Sequence, residues 1–379
     1  MKLSEICLNI VDCPHSTAPD EGSGYALVRT PNIGKGRFNL EGVHRISEEA
    51  YKKRCARITP TVNDLILARE APAGNVAIIK ENMEPLALGQ RTVLIRPNPE
   101  MVTPDYLVYY LLAPKQQNEL LGSATGATVA HVNIPIINNL PVSLPPLETQ
   151  QKIAGILSTY DDLIENNRKQ IKLLEEAAQK LYKEWFVKMN FPGHENTKII
   201  DCVPEEWKKG TVFDLGEFKR GKTITKDQTI LGPIPVVAGG LEPAYYHNES
   251  NTDSPVITVS GSGANAGFTR MYYEKVWASD CSYLDISKCE NLYFVYCILK
   301  NSKAEIDNLQ KGAAQPHVYA KDVNAINTLI PCQVLLEKFS AVVKVYFEKI
   351  RAVQKQIIDL QSARDKLLPK LMNGEIDVK

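Results

Sequence analysis

Two long stretches of the chain place hydrophobic residues at alternating steps of four and three. The first runs through Ile153, Leu157, Tyr160, Ile164, Asn167, Ile171, Leu174, Ala178, Leu181 and Trp185. The second runs through Phe339, Val343, Tyr346, Ile350, Val353, Ile357, Leu360, Arg364, Leu367 and Leu371. A 3.5-residue period held for more than four heptads, with Lys and Glu between, predicts a coiled-coil seam. Its apolar contacts are expected at Leu157, Ile164, Ile171, Leu174 and Leu181 on one helix, and at Val343, Ile350, Ile357, Leu360 and Leu367 on the other. Asn167 and Arg364 are polar at seam positions, which marks either a locally open seam or a register device. Pro145 and Pro146 stand where the first helix begins, and Gly193 and Gly374 follow the two patterns.

The two stripes match position for position because the chain is a duplication. "YLVYYLL" from Tyr106 recurs as "YFVYCIL" from Tyr293, an offset of 187. "GATVAHV" from Gly126 recurs as "GAAQPHV" from Gly312, an offset of 186 that continues through both stripes. A lone stripe fits a helix lying on its own globular domain. Two in the same register, each about forty residues and roughly 60 Å long, fit better as partners of each other. The short link between the first helix and the second globular segment favours antiparallel helices, since parallel ones would need a link running back along their length. The expected fold is therefore α+β, with two similar domains at opposite ends of an antiparallel two-helix coiled coil and an internal pseudo-two-fold. The boundaries are residues 1–143 for the first domain, 144–190 for the first helix, 191–328 for the second domain and 329–379 for the second helix.

Within each domain, short β-type runs precede a helix. They are "DLILA" (64–68) and "NVAIIK" (75–80), then "VITVS" (256–260) and "FTRMYYEKVW" (268–277). Helices follow at Asp105–Leu112 and at its repeat.

Composition narrows the function. Lys plus Arg and Asp plus Glu both number 44, so no global positive field draws a polyanion, and a nucleic-acid contact needs local clusters or a partner. Asp12 breaks the one early apolar run, and no stretch nears the roughly 18 apolar residues of a membrane span, so a cytoplasmic protein without membrane contact is expected. The eight cysteines include no C-x-x-C pair, against a zinc knuckle or a disulfide framework. No N/D-P-P-Y/F motif, Walker loop or D-E-A-D/H-like box is present, so no catalysis by this chain is expected.

The order of a globular domain, "LPPLETQQKIAGIL", a heptad helix, "VPEEWKKGTVFDLGEFKRGK", a second domain, a second heptad helix and "RDKLLPKLMNGEI" resembles the specificity subunit of type I restriction-modification enzymes along nearly the whole chain. The resemblance implies two target-recognition domains, each reading half of a split sequence in double-stranded DNA. It implies helices that dock DNA-methyltransferase subunits, to which restriction subunits are added. S-adenosylmethionine, ATP and Mg are then expected in those partners, with no cofactor on this chain. On the sequence alone, a coiled-coil adaptor presenting two protein- or glycan-binding domains stays open.

"DCPHST" (12–17) holds the inventory of a metal site or of a cysteine nucleophile with its base. The duplication argues against both, because "FKRGKTIT" (218–225) takes the comparable place without Cys or His. A Pro-fixed loop turning His15, Ser16 and Thr17 toward DNA fits better. "SGSGANAG" (260–267) misses the dinucleotide spacing and reads as a hairpin connection, as does "REAPAGN" (69–75). Basic clusters complete the DNA-facing set: Lys35 and Arg37, then Lys52, Lys53 and Arg54, then Arg69, Gln90 and Arg91 in the first domain. In the second domain they are Lys219, Arg220 and Lys222, with Asn265 and Arg270 beside them. These clusters lie in the globular segments, whereas the helix from Glu148 to Lys188 balances seven acidic and seven basic residues.

Overall fold

A computed structural model describes residues 1–122, 131–310 and 316–378. The chain divides into two compact units, Met1–Asn166 with Gln356–Lys379, and Asn167–Lys355. Each long helix is thus shared: α5 (Leu147–Tyr182, continued by a π-helical turn Lys183–Val187) and α9 (Gln333–Met372) each give part of their length to either unit.

Among the described residues of the first unit, seven strands form two sheets. They are β1 (Cys7–Asp12), β2 (Tyr25–Val28), β3 (His44–Ile46), β4 (Leu65–Ala68), β5 (Val76–Ile78), β6 (Leu86–Leu88) and β7 (Thr92–Pro97). One sheet has the order β1-β7-β4-β5 and is antiparallel throughout, and the other has the order β3-β2-β6 with β2 and β6 parallel. "DLILA" shows no polar alternation because both faces of its sheet are covered. Ile66, Ala68 and Leu94 point into a core shared with Ala26 and Val28 of the second sheet. Leu65, Leu67, Val93 and Ile95 face α2 (Pro104–Leu112) instead. Helices α1 (Glu48–Arg54), α3 (Pro114–Gly122) and α4 (Ile134–Asn138) complete the unit.

The second unit repeats this plan after a small hairpin of β8 (Ile199–Ile200) and β9 (Val203–Pro204). Its strands are β10 (Lys208–Thr211), β11 (Lys219–Arg220), β12 (Ile234–Val237), β13 (Tyr245–His247), β14 (Val256–Ser260), β15 (Thr269–Tyr272), β16 (Trp277–Ala278), β17 (Cys281–Asp285) and β18 (Asn327–Ile330). The order β11-β17-β14-β15 copies the first antiparallel sheet, and β13-β12-β16 copies the mixed one, parallel pair included. A β10–β18 ribbon corresponds to the single Lys2–Pro141 bridge of the first unit. Helices α6 (Leu292–Asn301), α7 (Lys303–Asn308) and α8 (Ala320–Asn324) match α2, α3 and α4.

Two expectations change. "FTRMYYEKVW" is two strands, not one: it leaves the antiparallel sheet after Tyr272, turns at the exposed Glu274 and Lys275, and enters the mixed sheet as β16. The long helices also do not pack on each other alone. In the first unit, Ile153 and Leu157 of α5 and Leu367 and Leu371 of α9 share one core with Tyr106 and Leu107 of α2. In the second, Trp185 lies 5.9 Å from Phe339, and Phe186 lies 5.0 Å from Phe339 and 4.9 Å from Phe294 of α6, between ring centroids. Within each unit an early part of one helix meets a late part of the other, so they run in opposite directions. All ten expected seam residues are buried or half-buried.

The glycine-led turns that mark the repeat, Gly126–Ala130 and Gly312–Gln315, lie outside the described residues. Both β-hairpins "REAPAGN" and "SGSGANAG" close through an equivalent glycine in the left-handed region. Gly74 (φ +87°) donates to Ala68 O at 2.8 Å, and Gly267 (φ +85°) donates to Ser260 O at 2.9 Å. A Cβ on Gly267 would stand 2.7 Å from Ile306 Cγ2. Gly267→Ala is therefore expected to cost the second unit about 1 to 2 kcal/mol from backbone conformation alone, with the clash added. A denaturation midpoint equal to that of the unsubstituted chain would show that the hairpin does not need this conformation.

Candidate nucleic-acid interface

Strand register gathers one group of segments. Asp12 pairs with Val93, and Ala68 with Thr92, so the C-terminal ends of β1 and β4 and the N-terminal end of β7 share one end of the antiparallel sheet. The loop "DCPHST", Arg69 with Glu70, Gln90 with Arg91, and His131 therefore meet there.

They are joined by an ionic chain. Arg69, only 7% exposed, donates from Nη1 to both oxygens of Asp12 at 2.9 and 3.0 Å, and from Nε to Val132 O at 2.8 Å. Its Nη2 lies 2.8 Å from His131 Nε2. A guanidinium can only donate, so Nε2 accepts, and the other ring nitrogen, Nδ1, carries the hydrogen that goes to Glu70 Oε1 at 2.5 Å. The second Glu70 oxygen pairs with Arg91 Nη1 at 2.8 Å. Asp12 Oδ2 also lies 3.1 Å from the imidazole of His15, which projects outward with 69% of its side chain exposed. The loop backbone is tied as well: Gln90 Nε2 donates to His15 O at 2.6 Å, and Arg54 to Ser16 O at 2.5 Å and Leu88 O at 2.8 Å.

This geometry disposes of a cysteine nucleophile in "DCPHST". Cys13 turns inward to the core between the two sheets, 1% exposed, and accepts from Thr92 N–H at 3.4 Å. Burial pushes its thiol pKa up, away from the thiolate. His15 points to solvent, and Asp12 is held by Arg69. Among the described residues, no group of three or more His, Cys, Asp and Glu is placed to hold a metal ion. In native thiol labelling read by mass spectrometry, exposed Cys202 is expected to react first and Cys13 only on unfolding. Rapid labelling of Cys13 would place its sulfur at the surface.

The other basic candidates scatter. Lys35 is exposed, whereas Arg37 pairs with Asp162 on α5, and the loop between them is stitched to the edge strand β5 by Gly36 N–H to Val76 O at 2.8 Å. Helix α1 turns Lys52 and Lys53 outward, Lys52 pairing with Glu48 at 2.7 Å, and turns Arg54 inward as a loop anchor. Arg54 and Arg69 thus spend their donors on the protein itself.

The second unit builds the same corner from different chemistry. Gly221 N–H donates to Cys281 O at 2.8 Å as Cys13 N–H does to Thr92 O at 3.1 Å, which sets Arg220 in the place of Asp12. Lys219 and Arg220 are exposed, and Lys222 Nζ lies 5.9 Å over the ring of Trp277. Asn265 sits in the turn of the β14–β15 hairpin. Arg270 stacks 4.9 Å over Tyr272 and donates to Leu241 O at 2.7 Å. Ser262, Asp280 and His317 complete this corner: Ser262 bridges to His317 and donates a hydroxyl hydrogen bond to Asp280. None of these three, nor Asp12, Glu70 or His131, was among the DNA-facing residues read from the sequence. The two histidines had a signal, since both stand in the repeat at an offset of 186. The acids had none, because a search for basic clusters passes over them.

Comparison with known proteins supports the same architecture. A family model described as the type I restriction modification DNA specificity domain matches twice, over residues 1–176 and 204–377. The type I restriction enzyme MjaIX specificity subunit of Methanocaldococcus jannaschii is 32% identical over 364 residues, covering 89% of this chain and 83% of that protein. The MjaVIII specificity subunit of the same organism is 26% identical over 357 residues, covering 84% and 80%. A crystal structure of the type I restriction-modification system S subunit from M. genitalium superposes with a TM-score of 0.56 at 18% identity, covering 100% of this chain and 96% of that one, a likeness of fold.

Proposed function

From the premise that the chain belongs to the type I restriction-modification DNA specificity family, as a DNA specificity subunit that works within a complex, we propose that each of its units reads one half of a bipartite target in double-stranded DNA. The first unit reads through the corner of His15, Ser16, Thr17, Gln90 and Arg91, and the second through Lys219, Arg220, Lys222, Asn265 and Arg270. Lys35, Lys52 and Lys53 add phosphate contacts, which position the protein without carrying sequence information. The observation that carries this reading is the duplicated sheet corner: strand order, register and backbone hydrogen bonds repeat in both units, while the side chains they present differ. Such a scaffold reads two different short sequences with one fold.

Catalysis in this reading belongs to partners. The chain docks methyltransferase subunits, and restriction subunits join them, with S-adenosylmethionine, ATP and Mg bound there. It works in the cytoplasm; no helix among the described residues is long and apolar enough to cross a membrane. The zero net charge fits a subunit whose affinity for DNA is completed by its partners.

The test is a gel shift of the full chain on a randomised duplex library, with and without methyltransferase subunits, followed by sequencing of the bound fraction. Two short conserved blocks separated by a spacer are expected, with tighter binding in the complex. Recovery of no sequence preference in either case would overturn the reading and favour an adaptor that binds proteins or glycans.

A further inference from the structure

The two corners share one pattern of backbone hydrogen bonds and strand register, which identifies matching positions. In the first unit, Val132 N–H donates to Arg69 O at 3.0 Å and Arg69 N–H donates to Arg91 O at 2.8 Å. In the second, Val318 N–H donates to Gly261 O at 3.0 Å and Gly261 N–H donates to Asp280 O at 3.1 Å. At the adjacent position of the same strand pairs, Ala68 pairs with Thr92, and Ser260 with Cys281. Arg91 and Asp280 therefore occupy the same position and carry opposite charge.

Their surroundings are inverted too. Arg91 sits in the left-handed region (φ +65°), a conformation that a long side chain rarely adopts and that here turns its guanidinium outward. It is 60% exposed, with Glu70 holding one end. Among the described residues Asp280 forms no ion pair and its side-chain hydrogen-bond partner is the Ser262 hydroxyl, the position of Arg69 being taken by Gly261. A carboxylate brought against a polyanion with one hydroxyl donor is repelled by phosphates and left under-satisfied, unless it meets a donor on the DNA itself. In the major groove those donors are the exocyclic amino groups, N4 of cytosine and N6 of adenine. A guanidinium has the opposite need, which O6 and N7 of guanine meet as a bidentate acceptor pair.

We infer that Arg91 and Asp280 are matched specificity determinants, Arg91 reading a guanine in one half-site and Asp280 reading an amino-bearing base, cytosine or adenine, in the other. This rests on the DNA reading proposed above.

The full chain, assembled with its methyltransferase subunits, is selected on the randomised duplex library in three forms: unsubstituted, Arg91→Ala and Asp280→Asn, with Asp280→Ala as a second variant at that position. Arg91→Ala should relax discrimination at one guanine of one block by about 5- to 150-fold, the range of one bidentate base contact, and leave the other block unchanged. Asp280→Asn and Asp280→Ala should each relax or change a single position of the other block, where the unsubstituted chain selects cytosine or adenine; which of the two is selected identifies the amino group read. Uniform weakening across all sequences by Arg91→Ala, with a shallower salt dependence, would make it a phosphate contact and overturn the assignment. So would an unchanged motif with the Asp280 variants, or a change by both substitutions in the same block. A motif from the unsubstituted chain that ignores both positions defeats only this inference, whereas no motif at all defeats the DNA reading beneath it.

Discussion

Replacing Arg364 by alanine is expected to cost the first unit about 3 to 5 kcal/mol, the loss found when one partner of a buried ion pair is removed. The seam pattern expects an apolar stripe through Tyr160, but the residue that turns inward is its neighbour Asp161, whose side chain is 4% exposed. One Asp161 oxygen accepts from Arg364 at 2.5 Å and the other from the hydroxyl of Tyr109 on α2 at 2.6 Å. Burial, with Asp161 beside it, pushes the Tyr109 phenol pKa up, so it stays a donor. Arg364 on the seam is therefore not an open site but the counter-ion of a carboxylate that also fastens the helix to its domain. The repeat places Phe347 (161 + 186) and Ala178 (364 − 186) at the corresponding positions of the second unit, both fully or almost fully buried. There the same need is met by apolar packing, with Tyr296, the counterpart of Tyr109, edge-on to Phe347 at 5.7 Å. The triple variant Tyr109→Phe/Asp161→Leu/Arg364→Met, which removes every polar group of the cluster together, should accordingly recover most of the loss. Denaturant titration of the full chain measures both, and an Arg364→Ala midpoint unchanged from the parent would show that Asp161 is not held dry.

Arg69→Met should be nearly as damaging, by about 2 to 4 kcal/mol, the discount reflecting the one-fifth exposure of the Asp12 side chain. It leaves Asp12, the Val132 carbonyl and His131 Nε2 without their shared donor. The functional effect is expected to be larger than the stability effect suggests, because the same guanidinium ties the loop carrying His15, Ser16 and Thr17 to the hairpin behind it. Selection on the duplex library should lose the block read by the first unit and retain the other. Loss of both blocks equally would show that the two units do not read independently.

The contrast between Arg69 and Arg91 shows where sequence reading stopped. Both are arginines at the ends of neighbouring strands and both look alike as members of basic clusters, yet one is 7% exposed and the other offers most of its side chain to solvent. Lys53 and Arg54 differ in the same way although they are adjacent, because a helix turns successive residues about 100° apart. Strand switching after Tyr272 was also illegible, since a charged turn inside a β-rich run does not say which sheet receives the next strand.

What the sequence determined by itself were the features with a long period or a long repeat. The duplication, the two heptad helices and the family follow from patterns spread over tens of residues, in which no single position decides. What only the tertiary structure decided is which polar side chains are anchors and which are free to meet a ligand. The corner of the first unit brings together Asp12, Arg69, Arg91 and His131 through strand register, and that of the second brings together Arg220, Ser262, Asp280 and His317. Charge is a property of the residue, whereas burial and partnership are properties of register, and register depends on every strand between.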